Sequence, residues 1–168
     1  VKSEPGRGSC FSVTIPAVAI PTEAVSVAVL APPLLHATDG KLVVVIDNDP
    51  LVLEGMGGLM QNWGCSVVTG DNEQAALAGL RGYRRRPDVI ICDYHLSNGR
   101  TGIEAIAQLR CALAAPIPAF LMTGDTDSEP KRQAKDNGYV LLQKPVHPMA
   151  LRATLSQVLR TRDATHTG

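Results

Sequence analysis

The sequence predicts an α/β fold, a doubly wound parallel sheet of five strands alternating with five helices, a (βα)5 unit. Three observations predict it. Short apolar runs rich in Val, Ile and Leu recur from Lys41 onward. Segments of helical pattern separate them. Asp47, Asp93, Thr123 and Lys144 each stand at the C-terminal end of such a run.

Taken in order, the first strand is expected at 41–46. A helix follows over 50–63, with Asp49 as a plausible N-cap and Pro50 at the first helical position, where a missing N–H costs nothing. Gly64 should stop it. The second strand falls at 65–69. Its helix, 72–84, opens at Asn72-Glu73 and closes on Arg84-Arg85-Arg86, whose charge complements the helix dipole. Pro87 blocks continuation. A strand at 88–92, a helix at 102–113 and a strand at 117–122 come next. The helix 128–137 ends at Gly138. The strand 139–142 and the helix 147–160 complete the unit. Strands this apolar are buried on both faces. Right-handed crossovers then put helices on both sides of the sheet. The expected strand order is 2-1-3-4-5, the flavodoxin-like arrangement, with its switch point between strands one and three. That order sets Asp47 and Asp93 side by side.

Residues 1–39 read differently. They hold five of the 12 prolines and no helical period. Phe11, Val13 and Ile15 alternate with Ser12 and Thr14, a strand pattern. The chain therefore divides into 1–16, a linker at 17–39, the α/β domain at 40–160, and a short polar tail at 161–168.

The 168 residues suit one domain with a tail, and 45% hydrophobic with 19% charged residues is ordinary for a soluble protein. Sixteen basic and 16 acidic residues cancel, which gives no electrostatic case for nucleic acid or an anionic membrane. The apolar stretch Ala17 to Leu35 is broken by Pro21, Pro32 and Pro33 and carries Glu23, whereas a membrane-spanning helix needs about 20 unbroken apolar residues. Cys10, Cys65, Cys92 and Cys111 form no CxxC pair. Cys65 and Cys92 lie in strand-like runs and read as buried apolar residues in a reduced, cytoplasmic setting. The first residue is not Met and polar residues precede the apolar stretch, so the chain is expected to begin inside a longer polypeptide.

The polar strand ends carry the chemistry. In an open parallel sheet they form the crevice where ligands sit. Carboxylates and a lysine gathered there suit a divalent cation and a transferred phosphoryl group. Taken singly, each residue also has a structural reading: Asp49 as a cap, Asp93 as a loop Asp, Lys144-Pro145 as a surface turn.

The pieces VVVIDNDP, PDVIICDYHLSNGRTGIEAI, AFLMTGDT and LLQKPV, in that order, resemble the receiver domain of two-component response regulators over residues 41–160. The resemblance implies that Asp93 is the phosphoacceptor. It implies that Asp47 and Asn48 stand where an acidic pair organises Mg²⁺, with Asp49 as a further candidate ligand. The His95 backbone carbonyl would contact the metal. Thr123 would hydrogen-bond the phosphoryl group, and Lys144 would pair with its oxygens. Pro145 matches a proline after a cis peptide bond. Two positions depart from the family pattern. Asn48 is neutral where an acid is usual, which weakens Mg²⁺. Leu141 replaces a switch aromatic, with Tyr139 facing the same side of its strand.

The segment SEPGRGSCFSVTIP is similar to the last hairpin of the ATP-binding domain of histidine kinases. The implied parent is a hybrid sensor histidine kinase, with residues 1–16 as the kinase remnant. This chain alone would not be a kinase. Its implied partner is a phosphohistidine, on its own kinase core or on a histidine phosphotransfer domain. A second copy of the chain is a further possible partner. Two other readings compete. One is a degenerate receiver that only binds a protein. The other is a haloacid-dehalogenase-like phosphatase, with Asp47 as nucleophile, Asp49 as acid/base, and Thr123 and Lys144 in support.

Overall fold

The structure, a computed structural model, describes residues 2–4, 6, 8–10, 12, 37–124 and 128–165. The chain divides into two units, Val1–Leu30 and Ala31–Gly168. In the first, β1 (Lys2–Glu4) pairs antiparallel with β2 (Gly8–Cys10). Gly6 and Gly8 take positive φ of 78° and 94° there, the left-handed region that a hairpin of this length requires. The strand expected over Phe11 to Ile15, like most of the linker, lies outside the described residues.

In the second unit the elements run β3 (Leu42–Ile46), α1 (Pro50–Asn62), β4 (Ser66–Gly70), α2 (Glu73–Leu80), β5 (Val89–Asp93), α3 (Gly102–Leu113), β6 (Ala119–Thr123), α4 (Ser128–Asp136), β7 (Val140–Gln143) and α5 (Pro148–Thr165). The sheet order is β4-β3-β5-β6-β7, all parallel, which is the expected 2-1-3-4-5. Period-2 alternation sorts the strand side chains into two cores. Leu42, Val44, Ile46, Ile90, Cys92 and Leu121 pack with residues of α2, α3 and α4. Val43, Val45, Ile91, Phe120 and Met122 pack with α1 and α5. Every residue of β3, β5 and β6 is buried, so these strands read as unbroken apolar runs.

Local chemistry sets the helix ends. The Asp49 side chain accepts the Leu51 N–H and caps α1, with Pro50 at its start. Gly64, at φ 82°, stops α1 as expected, because the left-handed turn lets the Cys65 N–H return to the Met60 carbonyl. Asn72 caps α2 through the Ala75 N–H. The reading of α2 needs correction: it ends at Leu80, not 84, where Arg81 and Tyr83 turn back on the Ala78 and Leu80 carbonyls. Arg84 to Arg86 therefore close no helix; Arg85 instead donates to the Gly40 carbonyl and pairs with Asp88. At the other end α5 runs to Thr165, so five residues of the expected tail are helical.

Thr38, assigned to the linker, is fully buried. Its hydroxyl donates to the Trp63 carbonyl at 2.8 Å, and its own carbonyl accepts from Cys65 Sγ at 3.3 Å. Cys65 and Cys92 are buried as expected, while Cys111 is exposed. Among the described residues no helix is long and apolar enough to cross a membrane.

Candidate functional site

Register builds the site. Ile46 lies beside Cys92 on adjacent parallel strands, so the next residue on each, Asp47 and Asp93, emerges at the same level of the crevice. On the far side of β5, Asp93 pairs with Met122, and Thr123 pairs with Gln143 on β7. Lys144 follows Gln143, and its backbone N–H donates to the Thr123 carbonyl at 2.7 Å. The Lys144-Pro145 peptide is cis, as the sequence implied.

One ammonium closes the arrangement. Lys144 Nζ stands 3.0 Å from Asp47 Oδ2 and 3.0 Å from Asp93 Oδ1. The Asp47 side chain is 1% exposed and that of Asp93 10%, so both carboxylates are nearly dry. Asp47 also accepts the Asp49 N–H through Oδ1 at 2.9 Å, which fixes its orientation. Burial pushes the Asp93 carboxyl above the usual carboxylate range; Lys144 and the Tyr94 N–H oppose this, while Asp47 adds to it. Burial would lower Lys144, but its bonds to Asp47 and Asp93 prevail and hold it above its ordinary value. Two carboxylates against one ammonium leave the crevice net negative, ready for further positive charge.

Cys92 lies immediately before Asp93 and is a second potential nucleophile by residue type. Burial, then the charges of Asp93, Asp47 and Glu73, push its thiol well above the ordinary range. It stays a thiol, with Sγ 3.3 Å from the Asp93 carbonyl. Gly102 is also fixed by this contact, because a Cβ there would sit 2.1 Å from the Asp93 carbonyl oxygen. Its absence lets the first turn of α3 close against the backbone of Asp93, and the Gly102 N–H donates to the Tyr94 carbonyl.

The other sequence candidates fall into place around this centre. Thr123 is fully buried at the end of β6. Asn48 and His95 are exposed on the flanking loops. Asp49 is exposed, and one of its oxygens is spent on capping α1. That favours its structural reading and removes support for it as an acid/base or metal ligand. Tyr139 and Leu141 do face the same core, and the Tyr139 ring carries the Arg110 guanidinium at 4.8 Å.

Among the described residues no group of three or more His, Cys, Asp or Glu side chains is arranged to hold a metal. Mg²⁺ does not require one, since it binds through one or two carboxylates and keeps several waters. Asp47 and Asp93 converge on the Lys144 ammonium, and Asn48 and His95 are exposed residues on the adjoining loops. This donor set fits Mg²⁺.

Sequence reasoning missed one pair. Arg100 NH1 meets Glu73 Oε1 at 2.5 Å, joining the loop before α3 to the first turn of α2. The partners are 27 residues apart on different elements, and only the fold brings them together.

The family model of the response regulator receiver domain matches residues 43–156. The phosphate regulon transcriptional regulatory protein PhoB of Pseudomonas aeruginosa is 30% identical over 123 residues, covering 72% of this chain and 52% of that protein. The transcriptional regulatory protein KdpE of Mycobacterium tuberculosis is 34% identical over 97 residues, 58% of this chain and 41% of that protein. The chain thus spans about half the length, or less, of the curated relatives it matches. Among solved structures, the chemotaxis protein CheY4 of Vibrio cholerae is 28% identical with a TM-score of 0.62, covering 71% of this chain and 98% of its own. A receiver domain protein from Clostridium thermocellum, at 19% identity and TM-score 0.65, covers 74% of this chain and 98% of its own and shares the fold.

Proposed function

Because this chain belongs to the family of response regulator receiver domains, we propose that Asp93 accepts a phosphoryl group from a phosphohistidine, with Mg²⁺ bound beside it. The observation that carries the proposal is the Lys144 ammonium, 3.0 Å from both Asp47 and Asp93 in a nearly dry crevice. It marks the point where negative charge gathers and where a phosphoryl group would add more.

An Asp93 carboxylate oxygen attacks phosphorus in line. The P–O bond forms as the P–N bond breaks, and the electron pair returns to the imidazole, which leaves neutral because its other nitrogen carries a proton. The burial that raises the Asp93 carboxyl also makes the carboxylate a better nucleophile. Lys144 turns its ammonium to the phosphoryl oxygens, and the Thr123 hydroxyl hydrogen-bonds one of them. Asp47, Asn48, Asp93 and the His95 carbonyl would hold Mg²⁺, which when bound neutralises charge on the transferred group.

The donor would lie on a histidine kinase core or a histidine phosphotransfer domain. The Gly-rich hairpin of β1 and β2 supports a hybrid sensor kinase as the parent protein, with this domain following the kinase. The phosphatase reading loses its support, because its acid/base, Asp49, caps a helix. A receiver that only binds a protein partner remains a second reading, favoured by the neutral and exposed Asn48.

Acetyl phosphate with Mg²⁺, read by intact mass, separates the two. Phosphoryl uptake by the wild type and none by Asp93→Asn is the expected result. Labelling of the Asp93→Asn chain would overturn the assignment, and no uptake by the wild type would leave the binding-only receiver.

A further inference from the structure

The segment that follows the phosphoacceptor is a small closed hairpin. His95 and Thr101 pair across its base, and the Leu96 N–H donates to the Arg100 carbonyl at 2.9 Å. Asn98 and Gly99, at φ 62° and 72°, turn its exposed tip. Leu96 anchors one side in the core shared with α2 and α3. Arg100 anchors the other by reaching Glu73 in the first turn of α2. The Glu73 side chain is 2% exposed, and its second oxygen, Oε2, is buried without a hydrogen-bond partner. Around this pair the two loops stand apart across a cleft of about 260 Å³, lined also by Asp71, Gln74 and Asn98. A buried carboxylate holds its cation firmly, since parting them would leave a bare charge out of water.

We propose that Arg100 and Glu73 are positioning residues: their ion pair is the strut that holds the 95–101 hairpin so that the His95 backbone carbonyl faces the cation beside Asp93. The proposal rests on the phosphoacceptor reading. Neither residue touches the reacting atoms; both act through the hairpin. The strut has more weight in this chain than in one with two acids before its first helix. Asn48 offers only a neutral oxygen, so the carbonyl supplies a larger share of the metal's ligand field.

The test uses the full chain with both charges removed together, Glu73→Gln with Arg100→Gln, so that no unpaired charge is left buried. Mg²⁺ is titrated calorimetrically, and labelling by acetyl phosphate is followed by mass across a range of Mg²⁺ concentrations. The expected result is Mg²⁺ affinity weaker by about ten-fold, the usual loss when a supporting partner of a metal ligand is removed. The labelling rate at saturating Mg²⁺ stays near wild type. An affinity and a Mg²⁺ dependence equal to wild type would overturn the proposal, even if the melting temperature falls. If the double variant does not fold, Glu73→Met with Arg100→Met carries the same test, because it replaces the pair by apolar side chains of similar length and leaves no buried charge. Weaker Mg²⁺ in that variant supports the strut, and unchanged Mg²⁺ overturns it. A wild-type chain that takes up no Mg²⁺ overturns the phosphoacceptor reading and the strut with it.

Discussion

Lys144 answers two charges at once, and that makes its removal a stability experiment as well as a functional one. Lys144→Ala leaves Asp47 and Asp93 facing each other with no cation between them. It should cost about 2 kcal/mol at pH 7, somewhat below the range for breaking a fully buried pair because the lysine is 31% exposed. The pH dependence follows from the shifts. A lysine held above its unfolded value contributes stability that is present below that value and lost as pH climbs through the folded one. Asp93, raised by burial, binds its proton more readily folded than unfolded, so its ionisation costs stability as pH rises and acid relieves that cost. The gap between wild type and Lys144→Ala should therefore be widest near neutrality and narrow as pH falls toward 4. Urea melts at several pH values check this, and a gap that is constant or widens in acid would count against the paired arrangement.

Asn48 gives a second prediction at the same scale. Asn48→Asp adds a carboxylate to the proposed donor set and should tighten Mg²⁺ several-fold, read by calorimetry; equal or weaker binding would remove Asn48 from the proposed metal site. These residues were legible in sequence because each ends an apolar run. The Glu73–Arg100 pair was not, because neither residue stands at a strand end and nothing in the spacing joins them. Asp49 was legible in two ways, and the Leu51 N–H decided between them.

Helix α3 illustrates what an element does for the site. Thr101 and Glu104 form a reciprocal capping box, so the helix start is defined to the residue. Directly inside it, Gly102 permits contact with the Asp93 backbone. Gly102→Ala would force a Cβ to within 2.1 Å of the Asp93 carbonyl oxygen and 3.0 Å of Cys92 Sγ. Neither can yield without moving Asp93, so the substitution should cost about 3 kcal/mol or more and slow labelling at the proposed acceptor. Denaturant midpoints and mass labelling measure both; a stable, fully active variant would show that α3 can back away. The sequence reading of 102–113 matches this helix, and the structure adds the capping box that defines its start. For α2 the reading does not match, because the expected arginine-rich end competes with tight turns at Arg81 and Tyr83. Local turn bonding prevailed over dipole complementarity, which contributes less than about 1 kcal/mol on an exposed surface.

On the scale of the whole molecule, the sheet order was legible because buried parallel strands carry no polar residue until they end. Where the domain begins was harder to read, since Thr38 looks like linker but is buried and bonded to Trp63 and Cys65 in the turn between α1 and β4. A chain starting at Ala37 should melt as cooperatively as the full one. A chain starting at Asp39 should still fold but lose about 1–2 kcal/mol, the value of two buried hydrogen bonds. Paired urea melts of the two truncations test this, and identical midpoints would return Thr38 to the linker.

The burial of Thr38 also sets a direction. It fastens the start of the domain beside the turn between α1 and β4, at the N-terminal ends of the strands. The acid crevice lies at the opposite pole, about 16 Å away across a five-residue strand. A phosphohistidine joined covalently ahead of Thr38 must therefore double back over the height of the domain before donor and acceptor can meet. One carried by a separate molecule approaches the open pole with no tether to turn.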